Sequence, residues 1–324
     1  MNKYWFYKVG LVVVFLCFAL LGGAKVKLPT LVSDGMVLQR GEPVNIWGTA
    51  DPDETVDITF LKKKYKTVAD VQGNWKVTLP ILKAGGPYTM AINDIELKDI
   101  LIGDVWVCSG QSNMELPVSR VTDRFRDEIS TDSNYSMVRY IKTPLLYNFH
   151  APQADIPGIS WQAMTPENVM PFSALAYFFA KDVYQKTKVP VGIINSSVGG
   201  SPVEAWISEG GLKPFPFYLN EKRIYESDDL MESMKKEERK KSHAWNVALF
   251  QGDKGMHEAT PWYAADYDDS NWTETDLFTS GWATNGLNTV NGSHWFRKDF
   301  QVSAQQAGEK ATLRLGCIVD ADSV

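Results

Sequence analysis

Ile100-Leu101-Ile102-Gly103-Asp104-Val105-Trp106-Val107-Cys108-Ser109-Gly110-Gln111-Ser112-Asn113-Met114 is an apolar run that stops at a turn of small residues. Nine mostly apolar residues bounded by turn formers predict a strand buried on both faces, as in a parallel sheet. Ligands of such sheets collect at the carboxyl ends of the strands, and Ser112 falls there. Glu115 and Pro117 read as the first turn of a following helix, which places Ser112 beside backbone N–H groups with no intrahelical acceptor and near the positive end of a helix dipole. Amides so placed can hold an oxyanion, and a serine among them is a candidate nucleophile. A serine in a strand-to-helix turn also serves as an ordinary N-cap, so spacing alone leaves both readings open. The turn is not a G-x-S-x-G elbow, because Met114 stands where the second glycine belongs.

Downstream the chain alternates strand and helix. Met137 to Ile141 reads as a strand, and Pro171 to Lys188 as a helix begun by proline, with Phe172, Leu175, Phe178, Phe179 and Val183 on one face. Val189 to Asn195 is an apolar strand bounded by glycine. With the Ser112 unit ahead of it, this order implies right-handed crossovers onto a parallel sheet. The strand ends in Ser196-Ser197-Val198-Gly199-Gly200-Ser201-Pro202, a loop whose two glycines let backbone amides approach a ligand without a Cβ in the way.

Upstream, Lys3 and Lys8 bracket a basic head, and Val9 to Leu21 is an apolar run too short for a comfortable membrane span. With Gly22-Gly23-Ala24 after it, this reads as a signal peptide, 1–24, and the mature chain is expected to begin near Lys25, exported to the periplasm or beyond. Without it the counts are 31 Lys and Arg (33 less Lys3 and Lys8) against 39 Asp and Glu, a net charge of −8. Nucleic acid and anionic lipid are therefore poor partners, and no membrane contact is expected after cleavage. Cys108 and Cys317 remain, each in a predicted strand of a different domain, and are expected to be buried thiols. With no Cys/His cluster, H-E-x-x-H or EF-hand loop, no metal is called for.

From 25 to 99 the pattern is all β. Met36–Gln39, Val44–Trp47, Val56–Phe60, Trp75–Leu79 and Tyr88–Ile92 are short runs separated by Gly, Pro, Asp and Asn, which predicts a small β-sandwich with turns at Gly48, Gly73 and Gly85-Gly86-Pro87. Trp47 and Trp75 read as core. Between Phe215 and Lys241 a Lys- and Glu-rich stretch predicts an exposed helix. From Trp245 onward, Trp262, Trp272, Trp282 and Trp295 recur between Asp/Asn/Gly turns, which predicts a second sandwich.

The thirteen residues Gly-Asp-Val-Trp-Val-Cys-Ser-Gly-Gln-Ser-Asn-Met-Glu, 103–115, resemble the first block of the sialate O-acetylesterase family of SGNH hydrolases. Asn195-Ser196-Ser197-Val198-Gly199-Gly200-Ser201-Pro202-Val203-Glu204-Ala205-Trp206 resembles its second block, and Ser33 to Arg40 the opening of many bacterial members. The resemblance implies Ser112 as the nucleophile, its own N–H as one oxyanion donor, and Gly200 as the second, with Gly199 next in line. It gives Ser196, Ser197 and Ser201 no such role. The implied fold class is α/β, an SGNH-hydrolase-like three-layer parallel sheet that is incomplete in this chain, with the N-terminal β-sandwich and an inserted galactose-binding-like jelly roll, which 268–272 and 294–300 resemble. The expected domains are 25–99, 100–244 for the first part of the hydrolase, and 245–324 for the truncated insertion.

The implied reaction removes O-acetyl groups from sialic acids through an acetyl-enzyme, with no cofactor. Acetylxylan or another acetylated glycan is the alternative substrate, and a non-catalytic secreted carbohydrate-binding protein the alternative class. The family's general base comes from an Asp-x-x-His block, and none of His150, His243, His257 and His294 has Asp three residues before it. The sequence is therefore expected to be the amino-terminal part of an esterase, with the base and its Asp absent from this chain and the fragment itself inactive.

Overall fold

A computed structural model describes residues 26–130, 135–275 and 292–311. The signal-peptide expectation for 1–24, and Trp282 and Cys317 with the β structure expected around them, lie outside the described residues. The chain divides into two compact units, 1–208 with 316–324, and 209–315.

The first unit is α/β, built on one mixed sheet in the order β4-β3-β6-β7-β10-β8-β9, with β1 also paired to β7. Its strands are β1 (Val37–Gln39), β3 (Thr55–Phe60), β4 (Lys63–Val68), β6 (Gly85–Ile92), β7 (Ile95–Gly110), β8 (Tyr135–Lys142), β9 (Gln162–Met164) and β10 (Val191–Ser197), while β2 (Val44–Thr49) and β5 (Asn74–Leu79) form a separate pair. The organising strand is β7, 16 residues rather than the nine legible as an apolar run. Ile95 to Ile102 pairs antiparallel with β6, and Asp104 to Gly110 pairs parallel with β10. Burial is continuous only from Ile100 to Gly103; beyond it Cys108 is buried but Trp106 and Val107 are 45% and 70% exposed, so the apolar run is not the strand buried on both faces that its composition predicts. Ile100, Leu101 and Ile102 are wholly buried where β1 and β6 flank the strand on either side.

The strands before β7 enclose a core that includes Ile46, Ile58, Phe60, Trp75, Leu79 and Ile92. Trp75 joins this core, whereas Trp47 is 39% exposed. β4 was not legible in the sequence: Lys63-Lys64-Tyr65-Lys66 is too polar, as suits an edge strand paired only with β3. Its hairpin turn uses Leu61 and Lys62 at φ 48° and 63°, positions that a sequence usually marks with Asn-Gly. Gly48 lies inside β2 rather than in a turn; a Cβ there would run into the Lys27 carbonyl and the Trp75 ring.

The parallel part of the sheet carries α3 on one face. A one-turn helix α1 (Ser112–Glu115) and a short α2 (Arg126–Ser130) precede α3 (Ala174–Thr187). The proline at 171 does not begin α3: Ser173 caps it, its Oγ accepting the Ala176 N–H at 3.2 Å. Its buried face is Ala174, Ala176, Tyr177 and Ala180, while Leu175 and Phe179 of the expected apolar face are exposed. The three alanines let the helix lie close to β8 and β10, with Tyr177 the one large side chain of this face that is fully buried. Arg139 on β8 is buried and paired with Asp99 of β7 at 2.8 Å.

The second unit is helical where described: α4 (Glu209–Leu212), α5 (Pro216–Tyr225), α6 (Asp228–Gly252) and α7 (Lys254–His257). The charged stretch forms a helix as expected, but α6 continues through Trp245, where β structure was expected. Ser227 caps it, accepting the Leu230 N–H, and Asp228 and Asp229 occupy the first turn. From there to Gly252 no Gly or Pro interrupts good helix formers. Among the described residues of this unit there is no strand. Trp262 instead gathers Trp272 and Trp295, with centroids 5.4 and 6.1 Å away. No described helix is long and apolar enough to cross a membrane.

Candidate active site

Two loops leave the same edge of the sheet side by side. β7 and β10 are parallel neighbours whose last residues, Gly110 and Ser197, are paired in register. The chain beyond each strand therefore emerges at one height: Gln111 and Ser112 on one side, Val198 to Ser201 on the other. Val198 ties the loops together by donating its N–H to the Gly110 carbonyl at 3.0 Å.

The helix after β7 begins at Ser112 itself and lasts one turn. Pro117 has no N–H to extend it, and Leu116 before the proline is forced to an extended ψ of 116°. Gln111 occupies the cap position without a side-chain bond to the helix, so Ser112 is not acting as an N-cap. In so short a helix a summed dipole counts for little. What remains are the N–H groups of Ser112 and Asn113, for which the first turn supplies no acceptor. Ser112 is exposed, and among the described residues its Oγ has no hydrogen-bond partner.

Gly199 comes closest to the serine. A Cβ added at Gly199 would lie 3.6 Å from Ser112 Oγ and 2.7 Å from Glu115 Oε2, so any larger residue here would have to displace the Glu115 carboxylate. The Gly199 N–H is taken by the Glu115 carboxylate. Gly200 stands at φ +74°, with no atom within 4 Å of a hypothetical Cβ, and among the described residues its N–H has no acceptor. The two glycines are thus distinguished by their amides, and the unengaged one belongs to Gly200. Ser201 also faces inward: its carbonyl accepts from Gln111 Nε2, and its Oγ accepts from Trp206 Nε1 at 2.9 Å.

Beneath the loops sits Asn195, wholly buried near the end of β10. Its Nδ2 reaches the carbonyls of Cys108 and Met114, each at 3.4 Å, and its Oδ1 accepts from Ser197 Oγ at 2.9 Å. The first two bonds are long, but their acceptors lie on opposite sides of Ser112 in sequence, so one amide braces the strand before the serine and the turn after it. Ser197 is buried by this contact. The thiol of Cys108 is also buried, and burial pushes its pKa up, so it stays a neutral thiol and a weak nucleophile.

Ser112, Gly199 and Gly200 are therefore brought together. Gln111, Glu115 and Asn195 were not read as site residues. The signal for Asn195 was an amide closing an otherwise apolar strand; for Gln111 and Glu115 it was position, since both flank the serine within the thirteen-residue block. None of the hydrogen bonds described for Ser112 involves His150, His243, His257 or His294, and His257 Nε2 instead meets the Phe250 carbonyl at 2.9 Å. Among the described residues no group of three or more His, Cys, Asp or Glu could hold a metal ion.

Residues 102–270 match the family described as carbohydrate esterase, sialic acid-specific acetylesterase. The chain is 33% identical over 213 residues to human sialate O-acetylesterase, covering 59% of this chain and 40% of that protein. It is 31% identical over 230 residues to the rat protein of the same name, covering 63% of this chain and 42% of that one. Among solved structures it is similar to a carbohydrate acetylesterase from Xanthomonas citri, with a TM-score of 0.54 and 39% identity, covering 57% of this chain and 43% of that one. The chain spans about 40% of the length of the curated relatives it matches.

Proposed function

Since this chain belongs to the sialic acid-specific acetylesterase family of carbohydrate esterases, we propose that it supplies the nucleophile and oxyanion donors of an enzyme that removes O-acetyl groups from sialic acids. The observation that carries the reading is the in-register ending of β7 and β10, which sets Ser112 against the Gly199–Gly200 loop. Ser112 Oγ attacks the acetyl carbonyl carbon and gives its proton to a base. The carbonyl electrons move to oxygen, and the N–H groups of Ser112 and Gly200 hold that oxyanion. Collapse breaks the bond to the sugar oxygen, which leaves protonated, and water then releases acetate from the acetyl-serine. No cofactor enters this sequence. The base is assigned to no residue of this chain, because no histidine here completes the family's Asp-x-x-His pattern.

A second substrate reading, an acetylated glycan such as acetylxylan, is favoured by the 39% identity to the Xanthomonas carbohydrate acetylesterase. Turnover of O-acetylated sialic acid beside acetylxylan separates the two.

Ser112→Ala tests the nucleophile assignment. In protein active on a chromogenic acetyl ester it removes at least about three orders of magnitude of turnover, while the thermal midpoint stays put because the exposed Oγ holds nothing. Turnover near wild type in the variant contradicts the assignment.

A further inference from the structure

Gly200, the proposed second oxyanion donor, has nothing of its own to fix it. It carries no side chain, its φ of +74° is one of several open to glycine, and among the described residues its N–H has no acceptor. A donor stabilises a developing oxyanion only if it is aimed beforehand, since reorientation during reaction costs what the contact would give. Something else must therefore hold the peptide.

Both neighbours of Gly200 are held from the Ser112 turn. Glu115, at the end of α1 and half-buried, accepts the Gly199 N–H on its Oε2. Gln111, just before α1, donates Nε2 to the Ser201 carbonyl. The two residues bracket Ser112, one at the cap of the one-turn helix and one at its end, so each grips the glycine loop from the segment that carries the nucleophile. Of the two, the Glu115 contact is the closer to the reacting serine: a Cβ at Gly199 would touch Glu115 Oε2 and lie 3.6 Å from Ser112 Oγ. The carboxylate also decides which glycine amide stays available, because it occupies that of Gly199 and leaves that of Gly200.

Resting on the esterase reading above, we propose that Glu115 is a positioning residue for acyl transfer: by accepting the Gly199 N–H it aims the Gly200 N–H at the oxyanion formed on Ser112. It touches no substrate atom in this scheme. Its work is done as a hydrogen-bond acceptor, which a neutral amide oxygen can also perform.

The test compares wild type, Glu115→Gln and Glu115→Ala by kcat and KM on 4-nitrophenyl acetate, by amide hydrogen exchange of the 196–203 segment, and by thermal midpoint, with Ser112→Ala as control. Glu115→Ala should lower kcat about 100- to 1,000-fold, the scale of one lost oxyanion donor, with KM within about threefold, because the oxyanion exists only in the transition state. Exchange in 196–203 should rise. Glu115→Gln should stay within about tenfold of wild type and keep the segment protected. Unchanged exchange in Glu115→Ala overturns the proposal, as does a Glu115→Gln variant that loses as much kcat as Glu115→Ala. If Ser112→Ala keeps wild-type turnover, the esterase reading fails instead. The exchange arm reads the Glu115 contact without any turnover, so the two failures are distinguishable.

Discussion

At Gly199 and Gly200 one chemical change, a methyl group, meets two different obstacles. Gly199→Ala puts its Cβ 2.7 Å from Glu115 Oε2 and 3.6 Å from Ser112 Oγ, with no positive φ to strain. We expect turnover to fall by roughly tenfold or more, with stability lowered by less than about 1 kcal/mol, since the half-buried carboxylate ends a flexible side chain that can swing away. Gly200→Ala meets no atom within 4 Å but must hold φ at +74°, which costs roughly 1–2 kcal/mol of stability. Unfolding midpoints and acetyl-ester rates on both variants check this, and the reverse order of effects contradicts it. Sequence reading singled out this glycine pair and Ser112 because turn chemistry leaves a mark in residue type. It did not single out Glu115, because an acid in the first turn of a helix already has an ordinary explanation.

Among the elements, β8 and α3 carry the packing that keeps the two site strands parallel. Tyr140 of β8 stacks on Phe172 at 4.1 Å and accepts the Ser173 N–H at 3.1 Å, just where α3 begins. Burial pushes its phenol up to about 12. The ordinary value is about 10, so between these the unfolded chain ionises and the folded one does not. Stability from this group is complete below about pH 10 and is lost as pH rises through about 12, a change on the order of 2–3 kcal/mol. Urea midpoints across that window should fall less steeply in Tyr140→Phe. At neutral pH that variant should itself be weaker by roughly 1–3 kcal/mol, because the buried Ser173 N–H loses its acceptor. A parallel fall in both proteins contradicts the assignment.

Arg139 and Asp99 join β8 to β7 in a similar way. The guanidinium is buried and the carboxylate half exposed, so Asp99→Asn strands a buried charge at a cost of about 2–3 kcal/mol, discounted for solvent at the acid. Asparagine tolerates the φ of 57° at this position, so backbone strain does not confound the measurement. Arg139→Met, which removes the charge with the ion pair, should cost less by chemical denaturation. None of these contacts was legible in the sequence, because each depends on strand register and not on residue type.

For the molecule as a whole, the α/β character was legible because its carriers, Ile100–Ile102 and Val191–Ile194, are buried apolar runs on strands that end at glycine-containing loops. Around Trp245 the sequence expectation of β structure yields to helix, because the run of helix formers from Asp228 sets a period there and a lone tryptophan does not. The amino-terminal charge and apolar pattern argue for export: amino-terminal sequencing of periplasmic protein should read from Lys25, and a cytoplasmic product still beginning at Met1 contradicts this. On the proposed reading the chain that ends β7 delivers a nucleophile to the loop that ends β10. The most direct measurement is acid quenching during turnover of an acetyl ester, followed by peptide mass spectrometry. We expect an added acetyl group on the peptide carrying Ser112, absent from Ser112→Ala; acetyl found instead on Ser196, Ser197 or Ser201, or on no serine while turnover proceeds, contradicts Ser112 as the nucleophile.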